Sequence, residues 1–213
     1  MSRARATPRA RLPRLPTSLA RPIAVAITGG IGAGKSEALR AFARHGAATV
    51  SSDEIVHHLL RRDAVKQAIV GRLGNGVLAP DGEIDRGALG TVVFNDRAAL
   101  QWLEELLHPL VAAEYLQWRE DLGALPDPPE VSVTEVPLLF ETGGDARFDK
   151  VVVITAPEKL RRMRSDVAVD GRESRLLADS EKVERADYSF RNLGSLEELD
   201  AFVASVMADL TKP

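Results

Sequence analysis

Cysteine is absent from the 213 residues of the chain. Its absence excludes disulfide bonds, thiolate catalysis and zinc or iron–sulfur sites with cysteine ligands. It also fits a reducing compartment, so we expect a cytoplasmic protein. Long hydrophobic runs are missing too, because none approaches the roughly 18 residues that a membrane-crossing helix needs. Hydrophobic residues still make up 45% of the chain and charged residues 28%, which is typical of a globular protein.

Acidic residues are absent from the first 22 positions, which hold six arginines and four prolines. The segment has no apolar h-region, so it is not a secretory signal. Its composition resembles an organellar transit peptide or an RNA-binding arm, and equally fits a disordered extension or an early start codon. We predict that residues 1–22 form a disordered extension. The remaining residues carry 22 basic and 31 acidic side chains, a balance that argues against general nucleic-acid binding.

Four short apolar segments rich in β-branched residues are predicted to be strands. They are "IAVAIT" from Ile23, "AATVSSD" ending at Asp53, "VSVTEVPLL" from Val131 and "KVVVITA" from Lys150. An amphipathic helical pattern separates the first two segments, and a long, mostly helical excursion over residues 63–129 precedes the third. This order predicts an α/β fold in which a parallel, doubly wound sheet is flanked by helices.

The segment "GGIGAGKS", residues 29–36, fits the G-x-x-x-x-G-K-[ST] pattern of a phosphate-binding P-loop. Glycines let several backbone N–H groups converge on phosphate oxygens, and a helix beginning near Lys35 adds the positive end of its dipole. The Lys35 amine can reach the β- and γ-phosphates, and the Ser36 hydroxyl can ligate Mg²⁺. The pattern lies between a predicted strand and a predicted helix, so we predict a P-loop NTPase-type domain over residues 23–213.

Two acids are predicted near the loop. Glu135 ends a hydrophobic strand, where a P-loop protein keeps a second acid near Mg²⁺; the alternative is an ordinary acid at a strand end. Asp53 ends the second predicted strand, and ligands gather at the carboxyl ends of parallel strands. Its carboxylate can accept a proton from an attacking hydroxyl or orient that hydroxyl. Asp53 can instead be the N-cap of the following helix, and these two roles compete for one carboxylate.

Two stretches of the sequence carry histidines that are candidates for the substrate site. His108 precedes Pro109, and the residue before a proline disfavours helix, so we predict a break between two helices there. His108 then either faces a ligand or satisfies freed carbonyl groups. His57 and His58 fall on a predicted helix, and we assign His57 to the substrate.

A charged stretch over about 158–186 contains few apolar core residues and is predicted to be a short helical lid. Its basic residues can simply be a solvated surface. Arginines that close over phosphates, however, can accelerate phosphoryl transfer by ~10³–10⁵. We assign this role to Arg162 and Arg175.

The segments "TGGIGAGKS", "SSDEIVH", "DGEIDRGALGTVVFNDRAALQWLEELLHPLV", "EVPLLFE" and "ADYSFRNLGSLEELD" occur in this order. Together they closely resemble the dephospho-CoA kinase family over most of residues 23–210. The resemblance implies a P-loop kinase core with a helical CoA-binding insertion, about 63–129, and a lid. It also implies transfer of the ATP γ-phosphate to the 3′-hydroxyl of the dephospho-CoA ribose, the last step of coenzyme A synthesis. ATP, Mg²⁺ and dephospho-CoA are the implied ligands, and no nucleic-acid or membrane partner is expected.

The resemblance carries over onto individual residues. Asp53 matches the second acid of the family's Asp-Ala-Asp motif, whereas the first acid is replaced here by Ser51. Glu135 stands where Asp is common, and the lid is a few residues shorter than the family's. The implied ATP-site residues are Gly30, Gly32, Ala33, Gly34, Lys35, Ser36, Glu37 and Asn192. The implied substrate-side residues are Asp85, Arg86 and His108, together with His57 from the residue pattern.

Two other functions fit part of these observations. One is a kinase for another small hydroxyl substrate, such as a nucleoside or a sugar, although the insertion argues against it. The other is a nucleotide-binding relative that no longer turns over. A GTPase is disfavoured because the chain lacks an Asn-Lys-x-Asp motif.

Overall fold

A computed structural model describes residues 21–164 and 177–212. Over these residues, five strands form one parallel sheet in the order β2-β3-β1-β4-β5. The strands are β1 (Ile23–Thr28), β2 (Ala48–Ser51), β3 (Val131–Glu135), β4 (Lys150–Thr155) and β5 (Tyr188–Arg191). The predicted parallel α/β sheet is confirmed. Most of the predicted N-terminal extension and the middle of the predicted lid lie outside the described residues.

The three inner strands, β1, β3 and β4, are buried along almost their whole length, which explains why they form continuous apolar runs in the sequence. β5 was not predicted, because it is a short edge strand whose residues alternate between half-buried and exposed within a charged stretch. The second strand was predicted to end at Asp53, but β2 ends at Ser51, whose side chain already caps the next helix.

Eight α-helices accompany the sheet within residues 21–164 and 177–212. They are α1 (Lys35–Arg44), α2 (Ser52–Leu59), α3 (Asp63–Leu73), α4 (Arg86–Asn95), α5 (Arg97–Gly123), α6 (Glu158–Arg164), α7 (Asp179–Glu184) and α8 (Leu196–Leu210). α1 and α8 cover one face of the sheet, where Phe42, Leu199 and Val203 are buried against strand residues such as Val133. Among these described helices, none combines the length and the apolar character that a bilayer span requires.

The helical excursion over residues 63–129 contains α3, α4 and α5, which pack with α2 around a hydrophobic core of their own. Leu59 and Ile69 are fully buried in this core, and Leu103 and Leu107 of α5 close it. Within the described residues, the insertion therefore has a hydrophobic core separate from those of the sheet. A cleft for a ligand can form where the insertion meets the sheet.

The helix break predicted at His108 and Pro109 is wrong, because α5 runs without interruption from Arg97 to Gly123. Pro109 cannot donate the backbone hydrogen bond of its position. Leu107, Val111 and their neighbours on the same stripe are nevertheless buried in the insertion core. Burial of this stripe offsets the missing bond, so packing overrides the local preference of the residue before proline.

Arg21 is the first residue that the structure describes, and its side chain contacts the sheet domain. Arg21, which was assigned to the disordered extension, donates two hydrogen bonds of 2.8 and 2.7 Å to the carboxylate of Asp149. Asp149 also accepts a hydrogen bond from the backbone N–H of Ala24. The Arg21 side chain holds the pKa of Asp149 below its usual range. Arg21 is thus tied to the start of β1 and to the turn before β4.

Candidate active site

The P-loop connects the carboxyl end of β1 to the N-terminus of α1, at the centre of the sheet edge. Gly34 precedes α1 with φ of 104°, a left-handed conformation that favours glycine. The partly buried Lys35 donates a hydrogen bond of 3.0 Å from Nζ to the carbonyl oxygen of Gly30. Burial lowers the pKa of Lys35, and the carboxylates of Glu135 and Asp53 oppose this shift. The Lys35 amine therefore contacts the backbone of the loop and interacts electrostatically with the carboxylates of Glu135 and Asp53.

Ser36 and Glu135 form the second part of the site. β3 pairs in register with β1 and β2, so that Glu135 aligns with Ile27 and Ser51 at one edge. Ser36 Oγ donates a hydrogen bond of 3.3 Å to Glu135 Oε2, and Glu135 is only 5% exposed. Burial raises the pKa of Glu135, whereas the ammonium of Lys35 opposes this rise. The hydroxyl oxygen of Ser36 and a carboxylate oxygen of Glu135, both possible metal ligands, thus lie together beside the loop.

Asp53 lies in the first turn of α2 and is exposed. The N-cap of α2 is Ser51, whose Oγ accepts a hydrogen bond of 3.2 Å from the backbone N–H of Asp53. The alternative role of Asp53 as an N-cap is therefore wrong. Among the described residues, its carboxylate has no hydrogen-bond or ion-pair partner. Because Ser51 caps α2, this carboxylate remains available.

A cavity of about 470 Å³ opens between the sheet and the insertion. Its polar lining comes from Ser52, Asp53, His108, Thr142 and Arg147. Its apolar lining comes from Val56, Pro109, Val111, Ala112, Tyr115, Val136, Pro137 and Leu138. Two of the residues predicted for the site, Asp53 and His108, therefore meet in one cavity, although 54 intervening positions separate them in the chain. The segment after β3, with Val136, Pro137 and Leu138, forms one wall.

The remaining substrate-side residues form a separate cluster on α2 and α4. Nη1 of Arg86 lies 3.4 Å from Nδ1 of His57, and Nη2 of Arg61 lies 3.3 Å from the other ring nitrogen. Partial burial lowers the pKa of His57, and the two guanidinium groups add to this shift. Asp85 is the N-cap of α4 and accepts hydrogen bonds from the backbone N–H groups of the two residues after Arg86. These three predicted residues lie outside the lining of the cavity that contains Asp53.

Asn192 and Glu37, both predicted for the ATP site, play different parts. Asn192 is 6% exposed and donates a hydrogen bond of 2.9 Å from Nδ2 to the carbonyl oxygen of Ala33 in the P-loop. A β-carbon on Gly34 would collide with this amide. Asn192 thus braces the loop from the segment after β5. The side chain of Glu37 instead forms ion pairs with Arg40 and Arg44 along α1.

The start of the predicted lid lies directly on the P-loop. A β-carbon on Gly30 would come within 2.5 Å of Nη1 of Arg161, so the Arg161 guanidinium covers the loop. Arg162, the predicted lid residue, forms an ion pair of 2.7 Å with Glu158 and is more than half exposed. The sequence contained no signal that distinguished these adjacent arginines. Arg175, the second predicted lid residue, lies outside the described residues.

A buried ion pair in the returning half of the lid was missed. Lys182 of α7 is fully buried, and its Nζ lies 2.8 Å from Oε1 of Glu141. The same carboxylate oxygen accepts a hydrogen bond of 3.0 Å from the backbone N–H of Leu177. Glu141 therefore holds the lid at two points and follows directly on the cavity wall formed after β3. A lone lysine in a charged stretch carries no sequence signal of burial.

The parallel sheet flanked by helices and the P-loop between β1 and α1 define the class of this protein as a P-loop kinase. A shikimate kinase from Acinetobacter baumannii, which is 14% identical, shares this fold with a TM-score of 0.52, covering 92% of this chain and 98% of its own. The family model for dephospho-CoA kinase matches residues 23–198. The chain belongs to the dephospho-CoA kinase family, whose members use ATP as phosphate donor.

Relatives and solved structures agree with this assignment. A dephospho-CoA kinase of Rhodopseudomonas palustris strain BisB18 is 36% identical over 87% of this chain and 94% of its own length. One from Streptomyces avermitilis is 38% identical over 87% of this chain and 93% of its own. The crystal structure of TT1252 from Thermus thermophilus matches the fold with a TM-score of 0.72, and its sequence is 30% identical. This match covers 90% of this chain and all of that one. The dephospho-CoA kinase from Campylobacter jejuni is 25% identical, with a TM-score of 0.65 over 91% of this chain and all of its own.

Proposed function

We propose that this protein transfers the γ-phosphate of ATP to the 3′-hydroxyl of the dephospho-CoA ribose, the last step of coenzyme A biosynthesis. One observation carries the proposal. Asp53 lines the cavity between the sheet and the insertion, and its charge also acts on the P-loop lysine, Lys35. An acceptor hydroxyl beside Asp53 would therefore lie next to the phosphates on the loop. Family membership identifies the acceptor, and the absence of cysteine supports a reaction in the cytoplasm.

The P-loop binds the donor in this proposal. Backbone N–H groups of Gly30, Gly32, Ala33, Gly34 and Ser36 face the phosphate oxygens, with the N-terminus of α1 behind them. Lys35 exchanges the carbonyl of Gly30 for the β- and γ-phosphates, a small movement because its amine already lies over the loop. Glu37 contributes its backbone N–H in the first turn of α1, since its side chain is paired elsewhere. Asn192 stabilises the conformation of the loop through its hydrogen bond to the carbonyl oxygen of Ala33.

Ser36 and Glu135 are suited to hold Mg²⁺. A hydroxyl and a carboxylate oxygen are the hard ligands that Mg²⁺ prefers, and the ion commonly takes one or two carboxylates together with phosphate oxygens and water. The described residues contain no cluster of three or more His, Asp or Glu side chains that could hold a metal, so phosphate oxygens and water would have to supply the remaining ligands. When bound, Mg²⁺ neutralises charge on the phosphates.

Asp53 acts on the acceptor. Its unpaired carboxylate accepts the proton of the 3′-hydroxyl, or orients that hydroxyl, as the oxygen attacks the γ-phosphorus in line with the departing ADP oxygen. His108 lies in the same cavity and binds the acceptor there. His57, Asp85 and Arg86 form a neighbouring substrate-side cluster on α2 and α4.

The lid excludes water and supplies positive charge. Without an excluded site, the same loop would serve hydrolysis equally well, so lid closure favours transfer to the acceptor. We assign the phosphate contact in the described half of the lid to Arg161, because its guanidinium lies over Gly30. Arg175 remains the second candidate in the lid, and Arg162 supports the lid from the surface through Glu158.

The proposed function is tested by measuring ADP release with dephospho-CoA, with a panel of nucleosides, sugars and small alcohols, and with no acceptor. We expect dephospho-CoA to stimulate ADP release far above every other compound. A nucleoside or sugar that stimulates it more strongly would assign the enzyme to another acceptor. Equal rates with and without dephospho-CoA would overturn the proposal, and binding of an ATP analogue without any turnover would indicate a relative that only binds ATP.

A further inference from the structure

Arg147 is a cation in the acceptor cavity to which the reaction described above gives no role. It ends the short 3₁₀ turn Gly144–Arg147 between the cavity wall and β4. Apart from His108, the charged side chains that line the cavity are Asp53 and Arg147. Among the described residues, the Arg147 guanidinium has no hydrogen-bond or ion-pair partner. An unpaired guanidinium in a mostly apolar cavity is suited to an anionic ligand.

A buried arginine holds Arg147 in place. Arg119 of α5 is only 9% exposed, and its Nη1 donates a hydrogen bond of 2.8 Å to the carbonyl oxygen of Arg147. Its guanidinium lies over the rings of Tyr115 and Phe148, 4.9 and 4.6 Å from their centroids. Cation–π contacts of this kind stabilise a guanidinium away from water. Arg119 therefore ties together Tyr115, which lines the cavity, and the backbone of Arg147.

Arg147 is exposed, and its guanidinium lies beside the cavity wall. A β-carbon on Gly144 would lie 3.4 Å from Nη1 of Arg147, so the guanidinium lies against a glycine that is itself part of the cavity lining. His108 and Tyr115 are seven residues apart on α5, which places them roughly 10 Å apart along the helix axis. The cavity thus has room for a group larger than the ribose whose hydroxyl reaches Asp53.

We propose that Arg147 binds the 5′-diphosphate of the acceptor, with Arg119 as the positioning residue that fixes its backbone. The inference rests on the proposed function, because dephospho-CoA carries this diphosphate on the same ribose as its 3′-hydroxyl. Asp53 then engages the reacting end of the acceptor, and Arg147 engages its diphosphate. Nucleosides without 5′-phosphates lose this contact, so Arg147 contributes to the choice of acceptor.

The test is steady-state kinetics of Arg147→Met with Arg72→Gln as control, since Arg72 is an exposed arginine outside the cavity lining. We expect the KM for dephospho-CoA to rise about 10- to 100-fold in Arg147→Met, the effect of losing a charge-assisted hydrogen bond. The kcat at saturation and the KM for ATP should stay within about twofold. At saturating ATP, the competitive inhibition constant of adenosine, which lacks the diphosphate, should be unchanged. Arg72→Gln should match the wild type.

A salt titration adds a second readout. The wild-type KM for dephospho-CoA should rise with NaCl, and Arg147→Met should flatten this dependence, because screening acts on the contact that the variant lacks. Adding Arg119→Met to Arg147→Met should produce no further rise in KM, since Arg119 acts through Arg147. If Arg119→Met prevents folding, the KM for dephospho-CoA of the single variant Arg147→Met tests the proposal on its own.

The two proposals fail in different ways. A wild-type enzyme that forms no product from dephospho-CoA overturns the proposed function. A wild-type enzyme that turns it over, with an unchanged KM in Arg147→Met, overturns only the diphosphate site. A rise in the KM for ATP instead would mean that Arg147 contacts the donor.

Discussion

The P-loop and the acceptor cavity are built in opposite ways. The loop is one contiguous segment, residues 29–36, between β1 and α1, and we propose that it binds phosphates mainly through its backbone N–H groups. The cavity is assembled from α2, α5, the segment after β3 and the turn before β4, and its walls are side chains. The donor half is therefore visible as a motif, whereas the acceptor half exists only once distant elements have packed together.

Asp53 connects the two halves. It lines the cavity and acts electrostatically on Lys35 of the loop, and Ser51 rather than Asp53 caps α2. In the proposed mechanism, this division explains how a common phosphate-binding loop becomes specific for one acceptor. The loop would bind the phosphates, and the cavity would select the hydroxyl that receives one.

The largest effect is expected at Asp53, where the halves meet. Asp53→Asn should lower kcat by about 10²- to 10⁴-fold, because the variant can no longer accept the proton of the hydroxyl. The affinity for an ATP analogue, measured by calorimetry, should change little. Asp63→Asn, which removes an exposed acid at the start of α3, should retain wild-type kcat. A wild-type kcat in Asp53→Asn would show that Asp53 does not accept the proton of the hydroxyl.

The donor half is tested through Lys35. Lys35→Met should lower kcat by about 10²- to 10³-fold, since one preorganised donor to the transferred phosphoryl group is lost. The matched control is Lys66→Met, in which a lysine paired with Glu83 on the insertion is removed. Its kcat should stay within about twofold of the wild type. A Lys35→Met enzyme with wild-type kcat would show that the loop binds ATP without this lysine acting on the reaction.

The contact between α7 and the segment after β3 is tested through the buried pair Lys182–Glu141. Lys182→Met should lower the free energy of unfolding by about 3–5 kcal/mol, because an unpaired carboxylate remains buried. The double variant Lys182→Met with Glu141→Gln should recover part of this loss, since the side-chain amide of the introduced glutamine still offers an oxygen to the backbone N–H of Leu177. Urea denaturation measures both values. Equal stability of the single variant and the wild type would contradict a buried pair.

The smallest effect is expected at the end of the sheet opposite the loop. There, the hydroxyl of Tyr188 donates a hydrogen bond of 2.7 Å to Asp209, and this bond raises the pKa of Tyr188 to about 12. Tyr188→Phe should cost about 1 kcal/mol or less in the free energy of unfolding at neutral pH, with kcat unchanged.

The pH dependence of this contact has a defined sign. Below about pH 10, tyrosine is protonated in both the folded and the unfolded chain, so the bond contributes fully. As the pH rises from about 10 towards 12, the unfolded chain loses the proton first, and the contribution declines. The difference in stability between wild type and Tyr188→Phe should shrink over this window. A difference that is constant from pH 8 to pH 11 would mean that the pKa of Tyr188 is the same in the folded and the unfolded chain, which would contradict the effect of the bond.

The sequence predicted the parts of the site that depend on local order. The loop, α1, and the placement of Glu135 at the end of β3 follow from short motifs and from apolar runs. The parts that were missed depend on distant contacts. Pro109 lies inside a continuous helix because its neighbours are buried in the insertion core. Arg161 rather than Arg162 faces the loop, and the burial of Lys182 depends on Glu141, 41 positions away.

The most direct test of the account is the ³¹P NMR spectrum of the product that the wild-type enzyme forms from ATP and dephospho-CoA. The account predicts one new phosphomonoester, on the ribose 3′-oxygen, formed in equal amount to ADP. This outcome requires both that the loop delivers the phosphate and that the cavity presents the 3′-hydroxyl. Release of inorganic phosphate alone, or a phosphomonoester on any other oxygen, would contradict it.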